Sequence, residues 1–319
     1  MAVYTNIHPN DLKIFLTCYS IGSLLSYQGI TEGTENSNFI LYTTKGRFIL
    51  TLYEKRVLRD DLPFFCSLMQ HLGQRGILCP QPVIQNDGTM IGELAGRPAA
   101  IITFLEGKLV HHPHVYHCCE VGNSLAQLHL AGQDFSLRRR NTLSLVDWKP
   151  LWEHCQMRKN PLLEEFGPKI DTELTFLEEN WPSNLPTGII HADLFNDNVF
   201  FLNHRLSGII DFYFACNDFY AYDLAICLNA WCFENHYSYN LSKARGLLES
   251  YQKIRPLMSL EVDAIILLTR GAALRFLLTR LYDWFNIPPG SFVVKKDPWE
   301  YWHKLCFFSN VGSLSELGF

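Results

Sequence analysis

The sequence predicts an α+β chain of two lobes, an antiparallel five-stranded N-terminal lobe followed by a mainly helical C-terminal lobe. Three observations carry that expectation. The first third alternates short β-branched and aromatic runs with turn residues, the pattern of hairpins. From Glu106 onward apolar residues recur at helical spacing instead. In the third quarter HADLFNDN (191–198) is followed by SGIIDF, which places Asp211 at the end of an apolar run.

The elements follow in order. Runs 39–43 and 48–53, separated by Thr44, Lys45, Gly46 and Arg47, read as a hairpin. Residues 61–76 carry Leu62, Phe65, Leu68, Met69 and Leu72 at helical spacing, with Gly73 and Gly76 marking the end. A second hairpin is expected from 83–85 and 89–94 around Asn86, Asp87 and Gly88, and a fifth strand from 98–103. Phe104 and Leu105 begin the link between the lobes, 1–105 and 106–319, and would form a hinge whose backbone pairs with an adenine edge. Beyond it, 116–130, 174–180 and 241–254 suit helices, and 262–285 is a long apolar segment broken by arginines.

The motif region is a loop between strands. Residues 188–190 and 199–202 are short apolar runs, 203–205 make a turn and 206–210 return. HADLFNDN has the form HxDxxxxN, with a carboxylate and a carboxamide five residues apart. In a loop Asp193 can accept a hydrogen bond from a substrate hydroxyl, while Asn198 turns a carbonyl oxygen toward a hard cation beside phosphates. Asp211 adds the anionic oxygen that Mg²⁺ prefers.

Composition narrows the remaining choices. With 319 residues, 48% of them hydrophobic, the chain can bury a large core, which suits two lobes. A net charge of -5 argues against a nucleic-acid partner, and Arg138–Arg140 reads as a solvated loop. No long apolar run suits a membrane span, and the N-terminus lacks the pattern of a secretion signal. Ten cysteines without a CxxC pair look like small buried residues of a reducing compartment, so a cytoplasmic location is expected. HHPHVYH (111–117) reads as a polar connecting segment, because Pro113 and the lack of suitably spaced cysteines argue against zinc.

The strings EGTENSNF (32–39), FILTLYEKR (48–56), DLPFF (61–65), HADLFNDNV (191–199) and IIDFYFACNDFYAYDLAICLNAWC (209–232) together resemble the aminoglycoside-phosphotransferase-like kinases. Those kinases share the protein-kinase-like fold. Within that group the longer strings are most similar to the homoserine kinase family built on it. The resemblance implies ATP- and Mg²⁺-dependent phosphorylation of the hydroxyl of L-homoserine, giving O-phospho-L-homoserine on the route from aspartate to threonine. By motif position Asp193 would be the catalytic base, and Asn198 and Asp211 would hold Mg²⁺. Two alternatives stand beside it: a kinase of another small alcohol such as an aminoglycoside, choline or a methylthioribose-like sugar, and a nucleotide-binding module without catalysis.

The phosphate-covering loop is 29–38. There Gly33 frees the backbone for close approach and Thr34, Asn36 and Ser37 offer donors; no GxxxxGK[ST] sequence is present. One departure stands out. Most kinases of this fold carry a phosphate-binding Lys or Arg on the next strand, paired with a Glu on the following helix, whereas here Thr51 and Phe65 fall at those positions. Losing both is coherent, since a lone buried carboxylate would cost roughly several kcal/mol. Lys55 or Arg56 is the candidate replacement cation, and both read equally well as surface charges.

A zwitterionic substrate needs a cation for its carboxylate. Arg270, Arg275 and Arg280 stand five residues apart, so successive side chains are about 140° apart on a helix and cannot share one face. At least one should point inward and need an anionic partner, either an internal acid such as Asp223 or the substrate. Arg275 is the best candidate for the substrate, and Tyr213, near Asp211, is placed to line the acceptor site. Asp223 reads equally well as a helix cap.

Overall fold

Residues 37–43 alternate between buried and partly exposed positions. In the computed structural model, which describes residues 5–30, 36–54, 57–158, 160–286 and 295–319, the chain divides into two compact units. One holds Met1–Gly107 with Ser207–Tyr213, and the other holds Lys108–Leu206, Phe214–Pro289 and Lys295–Phe319.

In the first unit α1 (Pro9–Leu16) precedes β1 (Leu24–Gly29), β2 (Ser37–Thr43) and β3 (Gly46–Leu52); α2 (Leu62–Gln74) separates these from β4 (Gly92–Leu94) and β5 (Arg97–Thr103). The strands form one antiparallel sheet in the order β1-β2-β3-β5-β4. Along β2 the residues Ser37, Phe39, Leu41 and Thr43 are buried and alternate with partly exposed ones, as a pleated strand with one covered face requires. Phe39, Leu41, Leu50, Leu52 and Ile101 pack with Leu12, Phe15 and Leu16 of α1 in one core cluster. The β2–β3 turn is closed by Thr43, whose hydroxyl lies 3.0 Å from Gly46 O, and by Gly46 at φ 132°. Gly76 at φ 85° ends the α2 turn in the left-handed region that glycine adopts without strain.

The five-stranded expectation holds in number, with one strand exchanged. Residues 83–85 are not a strand: Val83 bonds Ile101 O and Gln85 bonds Thr89 O, closing a turn. The fifth strand is β1, which carries no clean alternation.

The second unit is mainly helical. It contains α3 (Val115–Ala131), α4 (Leu145–Gln156), α5 (Pro161–Asn180), α6 (Tyr220–Trp231), α7 (Leu241–Ile254), α8 (Ser259–Asn286) and α9 (Pro298–Phe308). Short strands β6 (Thr187–Ile190) and β9 (Cys216–Phe219) pair antiparallel, and β7 (Val199–Leu202) and β8 (Arg205–Ile209) form a hairpin turned at Asn203 and His204. Every residue of α6 except Ala230 is buried, so this helix is the axis of the unit's core. α3 and α7 approach closely at Gly122, where a Cβ would lie 2.2 Å from Leu247 O.

The segment 111–117 enters α3, with His114 at its N-cap and the His117 ring accepting from the His114 amide at 2.9 Å. Arg138–Arg140 is more than a solvated loop. Arg139 bonds Asn217 and the Ala215 carbonyl, and Arg140 makes a two-pronged bond to Asp147 at 2.8 Å for each contact.

Candidate active site

Strand β6 delivers the chain to the HADLFNDN loop, and the loop's backbone takes an unusual path. Ala192 has φ 62°, a left-handed conformation costing an L-residue about 1–2 kcal/mol. Buried partners on both sides hold it there. The Asp223 carboxylate, on α6, accepts the His191 amide at 2.7 Å and the Ala192 amide at 2.9 Å. On the opposite side the Ala192 carbonyl accepts from Arg275 Nη1 at 2.6 Å. Asp223 thus serves the loop, and the helix-cap reading is corrected, because Phe219 is the N-cap of α6.

Asp223 is itself oriented by His129 of α3, whose Nε2 lies 3.2 Å from Oδ2 while Nδ1 meets the Tyr251 hydroxyl at 2.8 Å. Burial holds the His129 ring below its ordinary pKa, so it is neutral and donates Nε2–H to the carboxylate. Burial alone would raise Asp223, but the bond from His129 and the neighbouring amides outweigh it and hold the carboxyl below its usual value.

The loop brings Asp193 and Asn198 together. Asn198 Nδ2 donates to the Asp193 main-chain oxygen at 2.8 Å and to its Oδ2 at 3.2 Å. With its amide nitrogen so engaged, Asn198 retains Oδ1 as an acceptor, which fits a hard-cation ligand. Asp193 is pushed above the usual carboxylate range, chiefly by burial, with the Arg275 and Lys296 cations opposing. A raised carboxylate is the stronger proton acceptor of its kind. The Leu194 carbonyl accepts from Trp231 Nε1 at 2.8 Å, and Asp197 pairs with Lys296 at 3.0 Å, so the loop is tied along its whole length.

Asp211 belongs to the first unit, just past β8, at φ 65°. Two residues on, Tyr213 fills the place around Thr51 and Phe65. Its ring packs edge-on against Phe65 at 5.6 Å and Tyr53 at 5.5 Å, and its hydroxyl donates to the Tyr53 hydroxyl at 3.4 Å. Thr51, 2% exposed, also donates to Asn38 Oδ1 at 2.8 Å. The positions expected for a Lys–Glu pair are therefore occupied by a neutral cluster of hydroxyls and rings.

Asn36 and Ser37 are buried and engaged inside the first unit. Ser37 Oγ donates to Glu54 Oε1 at 2.8 Å and accepts from the Thr5 amide, and Asn36 Oδ1 accepts from the Glu54 amide at 3.2 Å. Phe104 lies under the Arg47 guanidinium at 4.2 Å, and Leu105 packs on Gly208, where a Cβ would sit 2.6 Å from its Cδ1. Gly33, Thr34, Lys55 and Arg56 lie outside the described residues.

The three arginines of α8 separate as their spacing demands. Arg270 is bonded at both ends to Glu173, at 2.7 and 2.8 Å. Arg280 pairs with Glu300 at 2.6 Å. Arg275, the most buried, bonds the Ala192 carbonyl instead, and Asp223 is not its ion-pair partner.

Residues 26–257 match the phosphotransferase enzyme family. The chain belongs to that family. Within it, the chain is 84% identical to a homoserine kinase of Bartonella henselae over 319 residues, the whole of both proteins. It is 60% identical to a homoserine kinase of Brucella anthropi over 318 residues, covering 100% of this chain and 98% of that one. Among solved structures, an amicoumacin kinase superposes with a TM-score of 0.70 at 14% identity, over 96% of this chain and 92% of that one. A spectinomycin phosphotransferase does so with the same score at 12% identity, over 98% of each. These structures establish the expected kinase-like fold. For a phosphotransferase, the tethered Asp193–Asn198 loop is the chemically apt feature: one acceptor for a hydroxyl proton beside one neutral oxygen ligand.

Sequence reasoning missed His129 and the loop-holding role of Asp223. The signal for Asp223 was a carboxylate within an otherwise apolar helix; no local signal marks His129.

Proposed function

We propose that the protein transfers the terminal phosphoryl group of ATP to the side-chain hydroxyl of L-homoserine, giving O-phospho-L-homoserine, with Mg²⁺ as cofactor in a cytoplasmic setting. The observation that carries this reading is end-to-end identity of 84% with a homoserine kinase. The Asp193 loop is consistent with it.

Phosphoryl transfer asks chiefly for alignment of the attacking hydroxyl and neutralisation of phosphate charge. Asp193 accepts the hydrogen bond of the substrate hydroxyl, orients it early and takes its proton late, because an alcohol is a weak acid until the oxygen–phosphorus bond forms. Asn198 aims the Asp193 carboxylate through its Nδ2, leaving Oδ1 for the cation. Asn198 and Asp211 would hold Mg²⁺, which when bound neutralises phosphate oxygens. Asn36 and Ser37 anchor the base of the phosphate-covering loop through Glu54, where Gly33, Thr34 and Lys55 would meet the nucleotide. Phe104 and Leu105 would border the adenine, and Tyr213 would border the acceptor. All ten cysteines are free thiols, in keeping with a reducing cytoplasm.

The test is a substrate panel with MgATP. Turnover with L-homoserine should far exceed that with choline, kanamycin or methylthioribose, and equal or absent turnover across the panel would sink the reading.

A further inference from the structure

Arg275 is the exception among the charged groups of α8. It is 2% exposed, yet among the described residues no carboxylate lies within ion-pair distance of it, whereas Arg270 and Arg280 each have a glutamate. A guanidinium has five N–H donors in a rigid fork. Here Nη1 is used on Ala192 O, and Nε is buried with no hydrogen-bond partner among the described residues. The plane is steadied by aromatic rings, with its carbon 4.1 Å from the Phe276 centroid and 5.6 Å from that of Phe214. A cation buried with a donor edge unused is costly unless something anionic completes it. The bonded carbonyl belongs to the residue immediately before Asp193, and the Arg275 charge is among those that act on the Asp193 carboxyl.

We propose that the unpaired Nε edge of Arg275 binds the carboxylate of the amino-acid substrate and so makes the enzyme specific for alcohols that carry a carboxylate. This deepens the homoserine reading and rests on it. One side of the guanidinium fixes the Asp193 loop through Ala192, and the other positions the substrate, so recognition of the carboxylate and placement of the base share one rigid group. Amino alcohols of similar length without a carboxylate leave that edge unpaired and are rejected for the reason any buried unpaired donor is costly.

The experiment compares L-homoserine with L-homoserinol, in which CH₂OH replaces the carboxylate, in the wild type, Arg275→Met and Arg275→Lys. Turnover and equilibrium binding are both measured. For Arg275→Met, kcat should fall on both compounds, because Ala192 loses its donor, while kcat/KM on homoserine should fall at least about tenfold further than on homoserinol, through KM, so that the preference collapses. Arg275→Lys, which keeps a cation without the fork, should fall between. Equal losses on both compounds would overturn the proposal and leave Arg275 as a loop-holding group only. Should Arg275→Met fail to fold, ¹⁵N-arginine spectra of the wild type decide instead, with the Arg275 Nε signal assigned by its absence in Arg275→Lys. That signal should shift with L-homoserine and not with L-homoserinol; no shift overturns the proposal. A wild type unable to phosphorylate homoserine at all would instead overturn the substrate reading.

Discussion

His129 and Asp223 meet at 3.2 Å with neither side chain exposed to solvent, and the Asp223 carboxylate also accepts two successive backbone amides of the HADLFNDN loop. Replacing Asp223 by Ala removes all three bonds, including the carboxylate acceptor of two buried amides. The cost should be about 2–4 kcal/mol of stability. Because Ala192 then loses what holds its left-handed backbone, kcat should fall more than KM changes. Denaturant melts and steady-state kinetics on the same preparation check both.

The same pair sets an acid limit on folding. Burial lowers the His129 pKa from its ordinary 6.5, so the folded state binds fewer protons there than the unfolded chain. Asp223 is likewise lowered. Both contributions are present above the unfolded pKa of each group and are lost as pH falls. Stability should therefore decline as pH drops below about 6.5, and His129→Gln should flatten the upper part of that decline. Melting temperatures of both proteins between pH 5 and 8 would show it, and parallel curves would contradict it.

Asp193→Asn keeps the Asn198 contact to the main chain but removes the proton acceptor. Transfer should fall about 10²–10⁴-fold with nucleotide binding intact. In the wild type, burial first among causes raises the Asp193 carboxyl, so the acid limb of kcat should lie above the 3.8 of an ordinary aspartate. A pH–rate profile reads the limb directly.

Thr51 and Phe65 explain how the first unit folds without the Lys–Glu pair common in this fold. Thr51→Lys would place an ammonium among Tyr53, Phe65 and Tyr213 with no acid supplied, and should destabilise by about 2–5 kcal/mol. Adding Phe65→Glu should recover part of that loss. A double-mutant cycle in melting experiments measures the recovery.

How much of this was legible depends on distance along the chain. HADLFNDN is local: Asp193 and Asn198 meet within one loop, so residue type and spacing predict the contact the structure shows. Helix α7 runs from Leu241 to Ile254 as expected, because its amphipathic face repeats cleanly. By contrast α6 is buried nearly all round, and a helix without a polar face has no period to read. Strand β1 escaped because its exposure does not alternate. α5 was expected only over 174–180, since Pro168 interrupts a helix that begins at Pro161. His129, 94 residues from Asp223 in sequence, is joined to it only by the fold.

Glu300 offers the sharpest test of paired charge. It lies between Arg280 and Lys304, each at 2.6 Å, and Lys304, 3% exposed, also donates to the Asn229 carbonyl, tying α9 to α6. Burial pushes the Glu300 carboxyl up, but the two cations outweigh it and hold it down from 4.5 to about 2. A depressed carboxyl contributes stability that is complete above its unfolded pKa and disappears as pH falls through the folded value. With the Glu300 side chain a third exposed, solvent screening reduces the stability this shift represents to about 1–2 kcal/mol at neutral pH. Glu300→Gln leaves two buried cations without an acid and should destabilise by at least about that much at pH 7. The gap to the wild type should narrow steadily from pH 4.5 toward pH 2 as Glu300 itself becomes protonated. Denaturant melts of both proteins across that range would reveal the convergence, and a constant gap would mean that packing, not charge, accounts for the loss.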